Sequence, residues 1–161
     1  MIYVLSRSEI GFEHKKIKNL ITDFENYQSL KIEGVIDDAF CTLGTTMKQA
    51  GSKEQFKKAD YHFVLSFAAF AKQAGASKFL TVSSMGADPN SLAFYSRVKG
   101  MTEEMLKSLG FNQLVIVRPS LLLGNRKETR IAETISGYIM KALNFIIPDH
   151  YKAIPGEKVA G

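Results

Sequence analysis

The clearest strand in the sequence is Lys78-Phe79-Leu80-Thr81-Val82-Ser83-Ser84, an apolar and β-branched run that ends in two serines. A helical pattern follows over residues 94–109 and ends at Gly110, and a second strand pattern at residues 113–117 is closed by Arg118-Pro119. Strand, helix and strand at this spacing predict two parallel strands joined by a crossover helix.

The same alternation extends toward the N-terminus. Residues 53–73 place apolar side chains at helical spacing and stop before Gly75. The run 39–41 predicts a strand before that helix, and two β-rich runs at 2–5 and 20–24 predict two more. No linker or repeat interrupts the pattern, which therefore predicts one α/β domain over residues 1–161, a doubly wound parallel sheet.

Composition narrows the classes of function. The chain has 161 residues, of which 45% are hydrophobic and 23% charged, as is typical of a globular domain. Its net charge of +5 favours anionic partners, but its lysines lie beside apolar helix positions, which is typical of solvated faces and argues against nucleic-acid binding. No apolar run is long enough for a transmembrane segment, and the three histidines show no metal-binding spacing. A lone Cys41 and an N-terminus without a basic leader predict a cytoplasmic location.

Tyr95 and Lys99 are the first candidates for catalysis. They stand four residues apart in the predicted helix, so they share one face of it. A phenol has a pKa near ~10, and a neighbouring cation lowers that value, which is how a phenol becomes useful as an acid or base. The strand-end serines Ser83 and Ser84 precede the pair and could hydrogen-bond a substrate carbonyl. Tyr27 and Lys31 repeat the spacing without such serines, so the context separates the two pairs.

Several motifs in register resemble the atypical short-chain dehydrogenase/reductases related to the Tat-interacting protein. They are Cys41-Thr42-Leu43-Gly44-Thr45-Thr46, Ala50-Gly51, Val82-Ser83-Ser84-Met85-Gly86-Ala87-Asp88-Pro89, Phe94-Tyr95-Ser96-Arg97-Val98-Lys99-Gly100 and Val117-Arg118-Pro119-Ser120-Leu121-Leu122-Leu123-Gly124. The resemblance implies a Rossmann-like fold and a nicotinamide cofactor, with NADP favoured over NAD.

The resemblance also implies a role for each matched residue. Tyr95 would donate or accept the proton, Lys99 would assist it and bind the nicotinamide ribose, and Ser83 or Ser84 would polarise the reacting carbonyl. On the cofactor side the implied residues are Arg7 at the adenosine ribose or its 2′-phosphate, Thr42, Leu43 and Gly44 along the adenine, and Leu122 beside the nicotinamide.

The sequence departs from this family at the N-terminus. The family begins with a strand, a glycine-rich turn and a helix that bind the pyrophosphate, and this sequence contains no Gly-x-Gly or Gly-x-x-Gly. By comparison with the family, roughly 25 to 30 residues, about one βα unit, are expected to be absent before Met1, and the fold is therefore expected to be N-terminally truncated. Three explanations are open: a misassigned start, a degenerate gene product, or a sheet that closes by pairing the family's second and fourth strands. Binding of NADP by this chain is therefore expected to be weak or absent.

The favoured function is that of an NAD(P)-dependent oxidoreductase or epimerase-like enzyme acting on a small molecule by Tyr/Lys/Ser chemistry. The alternative is a non-catalytic regulator that senses a cofactor or binds a protein. A homo-oligomer, or an assembly in which a partner supplies the missing strand, is a further expectation.

Overall fold

The computed structural model describes residues 1–120, 122–123 and 154–155. The strands are β1 (Ile2–Ser6), β2 (Ile17–Ile21), β3 (Asp38–Cys41), β4 (Lys78–Val82), β5 (Gln113–Val117), β6 (Leu122–Leu123) and β7 (Ile154–Pro155). The helices are α1 (Met47–Ala50), α2 (Lys53–Lys57), α3 (Phe63–Gln73) and α4 (Phe94–Ser108), with a 3-10 turn at Tyr27–Ser29 and a π-helical turn at Lys58–His62 between α2 and α3. The alternation of strands and helices matches the α/β class expected from the sequence.

All strand pairs are parallel. The strands β3, β4 and β5 form one sheet in that order, β1 pairs with β2, and β6 pairs with β7. Helices α3 and α4 pack on one face of the three-stranded sheet, where side chains from all these elements except β5 form the buried core: Ala39, Cys41, Val64, Ala68, Ala71, Phe79 and Leu106, with Ala76 beside them. This packing brings the N-terminal part of α4 to the carboxyl ends of β3 and β4.

The edges of β1 and β3 do not pair with each other. A cavity of about 710 Å³ lies between them, and consecutive residues of both segments, 1–5 and 35–43, line it. The floor of the cavity carries Tyr27, Phe67 and Phe70, whose rings pack together. Of the three explanations left open by the sequence, the one in which the sheet closes by pairing these two strands is therefore not what the described residues show.

The second strand lies three residues earlier than the sequence pattern placed it. β2 spans Ile17–Ile21 and not 20–24, since these five residues are the ones in parallel register with β1. The Asn19 side chain adds to this pairing by donating to the Val4 carbonyl at 3.0 Å and to Ser6 Oγ at 2.7 Å. Phe24 takes a left-handed backbone, with φ of 65°, which no strand residue adopts. No helix in the part of the chain that the structure describes is long and apolar enough to cross a membrane.

Candidate functional site

Lys99 lies at the centre of a buried polar cluster at the carboxyl end of the sheet. Its side chain extends from α4, only 8% of the residue is exposed, and Nζ lies 2.7 Å from Oδ1 of Asp60, which is 1% exposed. Within the described ranges Oδ1 has no hydrogen bond of good geometry, so the contact with Lys99 is an ion pair and not a directed hydrogen bond. Two opposite charges this deeply buried stabilise one another where neither would be tolerated alone.

The π-helical turn at Lys58–His62 places Asp60 beside Lys99. A π turn leaves one carbonyl without its usual helical partner, and here Thr102 Oγ1 donates to the Asp60 carbonyl at 2.9 Å. The carboxylate also accepts a hydrogen bond from the Thr45 backbone N–H, at 2.8 Å to Oδ2. Asp60 therefore contacts both α4 and the loop that follows β3.

Gly44 allows this loop to approach the ion pair. A Cβ at position 44 would stand 3.2 Å from Oδ1 of Asp60 and 3.6 Å from Nζ of Lys99. The structure thus brings together Gly44, which the sequence assigned to the cofactor, and Lys99, which it assigned to catalysis.

Ser83 and Ser84 follow β4, as expected. Their backbone is held against the segment after β5, because the Ser83 N–H donates to the Val117 carbonyl at 2.8 Å and the Met85 N–H to the Pro119 carbonyl at 3.0 Å. Both side-chain Oγ atoms are buried, and neither has a hydrogen-bond partner among the residues that the structure describes. Buried hydroxyls are rarely left unpaired, so two adjacent ones at the end of β4 are an uncommon feature.

Tyr95 stands in the first turn of α4 and is 37% exposed. Its ring packs against Phe56, with centroids 5.4 Å apart. The loop after Ser84 is attached to the same turn, since the Asp88 N–H donates to the Ser96 carbonyl at 3.1 Å. The strand-end serines and the tyrosine are therefore tied to one another through two short segments of backbone.

The remaining cofactor candidates are less closely grouped. Thr42 and Leu43 follow β3 and line the 710 Å³ cavity. Arg7 is exposed and directly follows β1, a strand of the other sheet, and Leu122 stands in β6. The geometry groups Gly44 with Lys99, whereas Arg7 follows β1, the strand across the cavity from β3.

The pair Tyr27 and Lys31 does not form a comparable arrangement. Tyr27 is buried in a 3-10 turn that ends at Ser29, so Lys31 stands outside it. Burial is the main cause that raises the pKa of Tyr27, and the ring stacks on Phe70. Its spacing is that of Tyr95 and Lys99, but its surroundings are those of a core residue.

Sequence reasoning missed Asp60, Thr45 and Thr102. One signal was present for Asp60, because buried helix positions recur at Phe56, Val64 and Ala68, and Asp60 occupies the step between the first two. A carboxylate within an apolar stripe needs a buried cation or several hydrogen-bond donors. Nothing in the spacing of the sequence indicates that Lys99 is that cation.

A second ion pair fixes α4 to the sheet. Arg118, just after β5, donates from Nε to both oxygens of the buried Glu103 at 3.0 and 3.2 Å, and its Nη2 contacts the same carboxylate. Hydrogen bonding to Glu103 is the main cause that raises the pKa of the exposed Arg118 guanidinium. The pair attaches α4 to the end of β5 at a point one helical turn after Lys99.

Comparison with known proteins identifies relatives by sequence. The chain is 44% identical over 101 residues to the mitochondrial protein fmp52 of Emericella nidulans, which covers 63% of this chain and 43% of that protein. It is 42% identical over 115 residues to FMP52 of Candida albicans, covering 68% and 50%, and 34% identical over 140 residues to HTATIP2 of Rattus norvegicus, covering 84% and 57%. The chain thus spans about half the length of the curated relatives it matches. No family model matches it.

Solved structures share the fold. A UDP-N-acetylglucosamine 4-epimerase from Methanobrevibacter ruminantium superposes with a TM-score of 0.63 at 17% identity, over 89% of this chain and 55% of that one. MoeE5 in complex with UDP-glucuronic acid and NAD gives 0.64 at 13%, over 94% and 66%, and RMD from Pseudomonas aeruginosa complexed with NADPH gives 0.56 at 14%, over 92% and 65%. At these identities the likeness shows the Rossmann-type fold.

The cytoplasmic location expected from the sequence is contradicted by the relatives, because the FMP52 proteins of both fungi are named mitochondrial. That expectation rested on the first seven residues and on one cysteine. Neither carries information on location for a chain that spans about half of its relatives.

Proposed function

The chain belongs to the atypical short-chain dehydrogenase/reductases of the Rossmann type, and on that premise we propose that it is an NAD(P)-dependent oxidoreductase or epimerase-like enzyme whose Tyr95, Lys99, Ser83 and Ser84 act on a small carbonyl or alcohol. One observation carries the proposal. Two buried hydroxyls that have no hydrogen-bond partner within the described part of the chain follow β4, and the next loop binds to the helical turn that presents Tyr95, one turn before the buried Lys99.

The chemistry follows from the donors and acceptors present. The hydroxyls of Ser83 and Ser84 would donate hydrogen bonds to the carbonyl oxygen of the substrate and so polarise it. Tyr95 would deliver the proton to that oxygen or remove it from the alcohol, since it is exposed enough to meet a substrate. The Lys99 ammonium has three N–H donors, so an ion pair with Asp60 leaves donors for the phenol or for a ribose hydroxyl.

The residues after β3 suit the adenine side of a nicotinamide cofactor. Thr42, Leu43 and Gly44 would lie along it, because the Gly44 backbone comes close to Lys99 without a side chain in between. Arg7 would meet the adenosine end, where an arginine favours a 2′-phosphate and hence NADP. When bound, the nicotinamide would accept or supply the hydride. No glycine-rich turn stands in the described residues to hold the pyrophosphate, so the chain is expected to need a high cofactor concentration.

Substitution of Tyr95 and Lys99 tests the proposal. The chain is incubated with NADPH at millimolar concentration and a panel of small aldehydes and ketones, and oxidation of NADPH is followed by absorbance. Tyr95→Phe is expected to lower turnover by about 100-fold or more, because proton transfer is worth that much. Lys99→Ala should lower turnover as well, measured on a chain whose circular dichroism shows that it is folded, because this change leaves the buried Asp60 carboxylate unpaired. Lys31→Ala, in the other Tyr-x-x-x-Lys pair, is the matched control and should leave turnover unchanged.

Two outcomes overturn this function. Equal turnover by Tyr95→Phe and the unsubstituted chain would remove the proton-transfer role. No turnover of any compound, in a chain whose circular dichroism shows it to be folded, would favour the alternative of a non-catalytic regulator that keeps the fold.

A further inference from the structure

We propose that Asp60 is a positioning residue that holds the Lys99 ammonium and the Gly44-Thr45 loop in one fixed arrangement. The inference rests on the function proposed for Lys99 above. The π-helical turn between α2 and α3 thereby becomes part of the proposed site, although none of the sequence motifs includes this turn.

Three contacts fix Asp60 from three directions. Its Oδ2 accepts from the Thr45 backbone N–H at 2.8 Å, and its Oδ1 lies 2.7 Å from Lys99 Nζ. Its carbonyl lies 2.9 Å from Thr102 Oγ1, and the Val98 carbonyl one turn earlier in α4 lies at the same distance, so the two carbonyls share the single hydroxyl proton of Thr102. A side chain attached in this way cannot move without moving α4 or the loop after β3.

The charge of Asp60 is what restrains Lys99. A lysine side chain has four rotatable bonds and an ammonium without a preferred direction, so packing alone restrains its tip poorly. A buried carboxylate 2.7 Å away confines the ammonium, because separating the two buried charges leaves each of them unpaired. Asparagine at position 60 would keep the size and one oxygen acceptor but would lose this restraint.

The same carboxylate connects the two halves of the proposed site. Gly44 and Thr45 belong to the loop after β3, on the cofactor side, and Lys99 belongs to the helix that carries Tyr95. The π-helical turn is what directs the side chain between them, and π turns inside helices often occur at functional sites.

Chemical labelling of Lys99 tests the inference without any need for turnover. Acetic anhydride in trace amounts is added to the folded chain, and acetylation of each lysine is measured by mass spectrometry. Lys99 is expected to react at least about tenfold more slowly than the exposed Lys31, and Asp60→Asn should raise its rate roughly tenfold, because the ion pair is lost. Exchange of the Thr45 amide, followed by NMR, should stay slow in Asp60→Asn, whose oxygen still accepts, and become fast in Asp60→Ala. Glu33→Gln removes the exposed Lys18 pair and is the control, for which the Lys99 rate should not change.

The results separate this inference from the proposed function. An unchanged Lys99 rate in a folded Asp60→Asn variant overturns it, and so does equal labelling of Lys99 and Lys31 in the unsubstituted chain, a measurement that needs no variant. Where turnover is found, Asp60→Asn should lower kcat and leave the KM for the carbonyl substrate within about twofold, as expected when a proton-transfer group is misplaced. Absence of turnover removes the proposed function, whereas the labelling rates still decide the role of Asp60.

Discussion

Cys41 illustrates at the residue scale how burial decides chemistry. It is 1% exposed in β3 and packs within the core, as its place in an apolar strand indicated. Burial is the main cause that raises the pKa of the Cys41 thiol to about 11, and hydrogen bonds from the Leu43 backbone and the Thr81 side chain offset only part of this. The thiol therefore keeps its proton at neutral pH and is not a nucleophile there.

The raised thiol pKa makes stability depend on pH in the alkaline range. The unfolded thiol ionises near its ordinary value of 9.0, whereas the folded one keeps its proton until about pH 11, so the folded state binds more protons in between. This contribution is complete below the unfolded pKa and is lost as pH rises through the folded pKa. The advantage of the natural chain over Cys41→Ala should fall by about 2 to 3 kcal/mol between pH ~8.5 and pH ~11. Urea unfolding of both proteins measures it, and a difference that does not vary with pH would contradict it.

The residues of the candidate site could be predicted from the sequence only where they belong to a motif. Ser83, Ser84, Tyr95 and Lys99 follow from strand-end position and helical spacing, and the structure puts them at the ends and turns expected. The partner of Lys99 could not be found this way, because Asp60 stands 39 residues earlier and reaches it through tertiary packing and a π turn.

Element boundaries followed the hydrophobic pattern where local signals were strong. The strands β3, β4 and β5 and helix α4 lie within a few residues of their predicted spans, since each is bounded by glycine, proline or a polar turn. The predicted helix 53–73 is instead two helices joined by a π-helical turn, which periodicity could not show because the chain stays helical throughout. Helix α1 was missed because four residues are too few for a pattern, although Thr46 caps it.

Gly100 controls how closely α4 approaches the loop after Ser84. A Cβ there would lie 2.2 Å from both the Asp88 carbonyl carbon and the Pro89 nitrogen, which are backbone atoms that cannot turn aside. Gly100→Ala should therefore destabilise the fold by about 3 kcal/mol, although alanine is the better helix former.

Urea unfolding measures this effect, with Gly11→Ala as the control. A Cβ at Gly11 would have nothing within 4 Å, so that variant should change stability by about 0.5 kcal/mol at most. If Gly100→Ala were as stable as the natural chain, α4 would not approach the loop after Ser84 as closely as described.

At the scale of the whole molecule, the alternation of elements predicts parallel sheets but not which strands become neighbours. Neighbours are chosen by packing over long sequence separations, such as that of α3 against β3 and of α4 against β5. The alternation of strands and helices could not predict the cavity between β1 and β3. It lies between two strands that each have a partner on their other side.

The backbone directions in β1 and β3 predict how this cavity behaves in solution. The Ile2 N–H donates to Lys16 and the Ser6 carbonyl accepts from Thr22, so the alternate amides of Tyr3 and Leu5 face away from β2. The Asp37 carbonyl accepts from β4, and by the same alternation the amides of Asp38 and Phe40 face the cavity.

These four amides should exchange with deuterium roughly 100-fold or more faster than those in the middle of β4, a strand that is paired on both sides. Amide-resolved NMR at low protein concentration measures the rates, and Thr81 serves as the internal reference for slow exchange. Protection of the four amides equal to that of Thr81 would contradict the open cavity. Protection that appears only as the protein concentration is raised would mean that a second copy of the chain pairs with these edges, because binding between copies depends on concentration whereas folding of one chain does not.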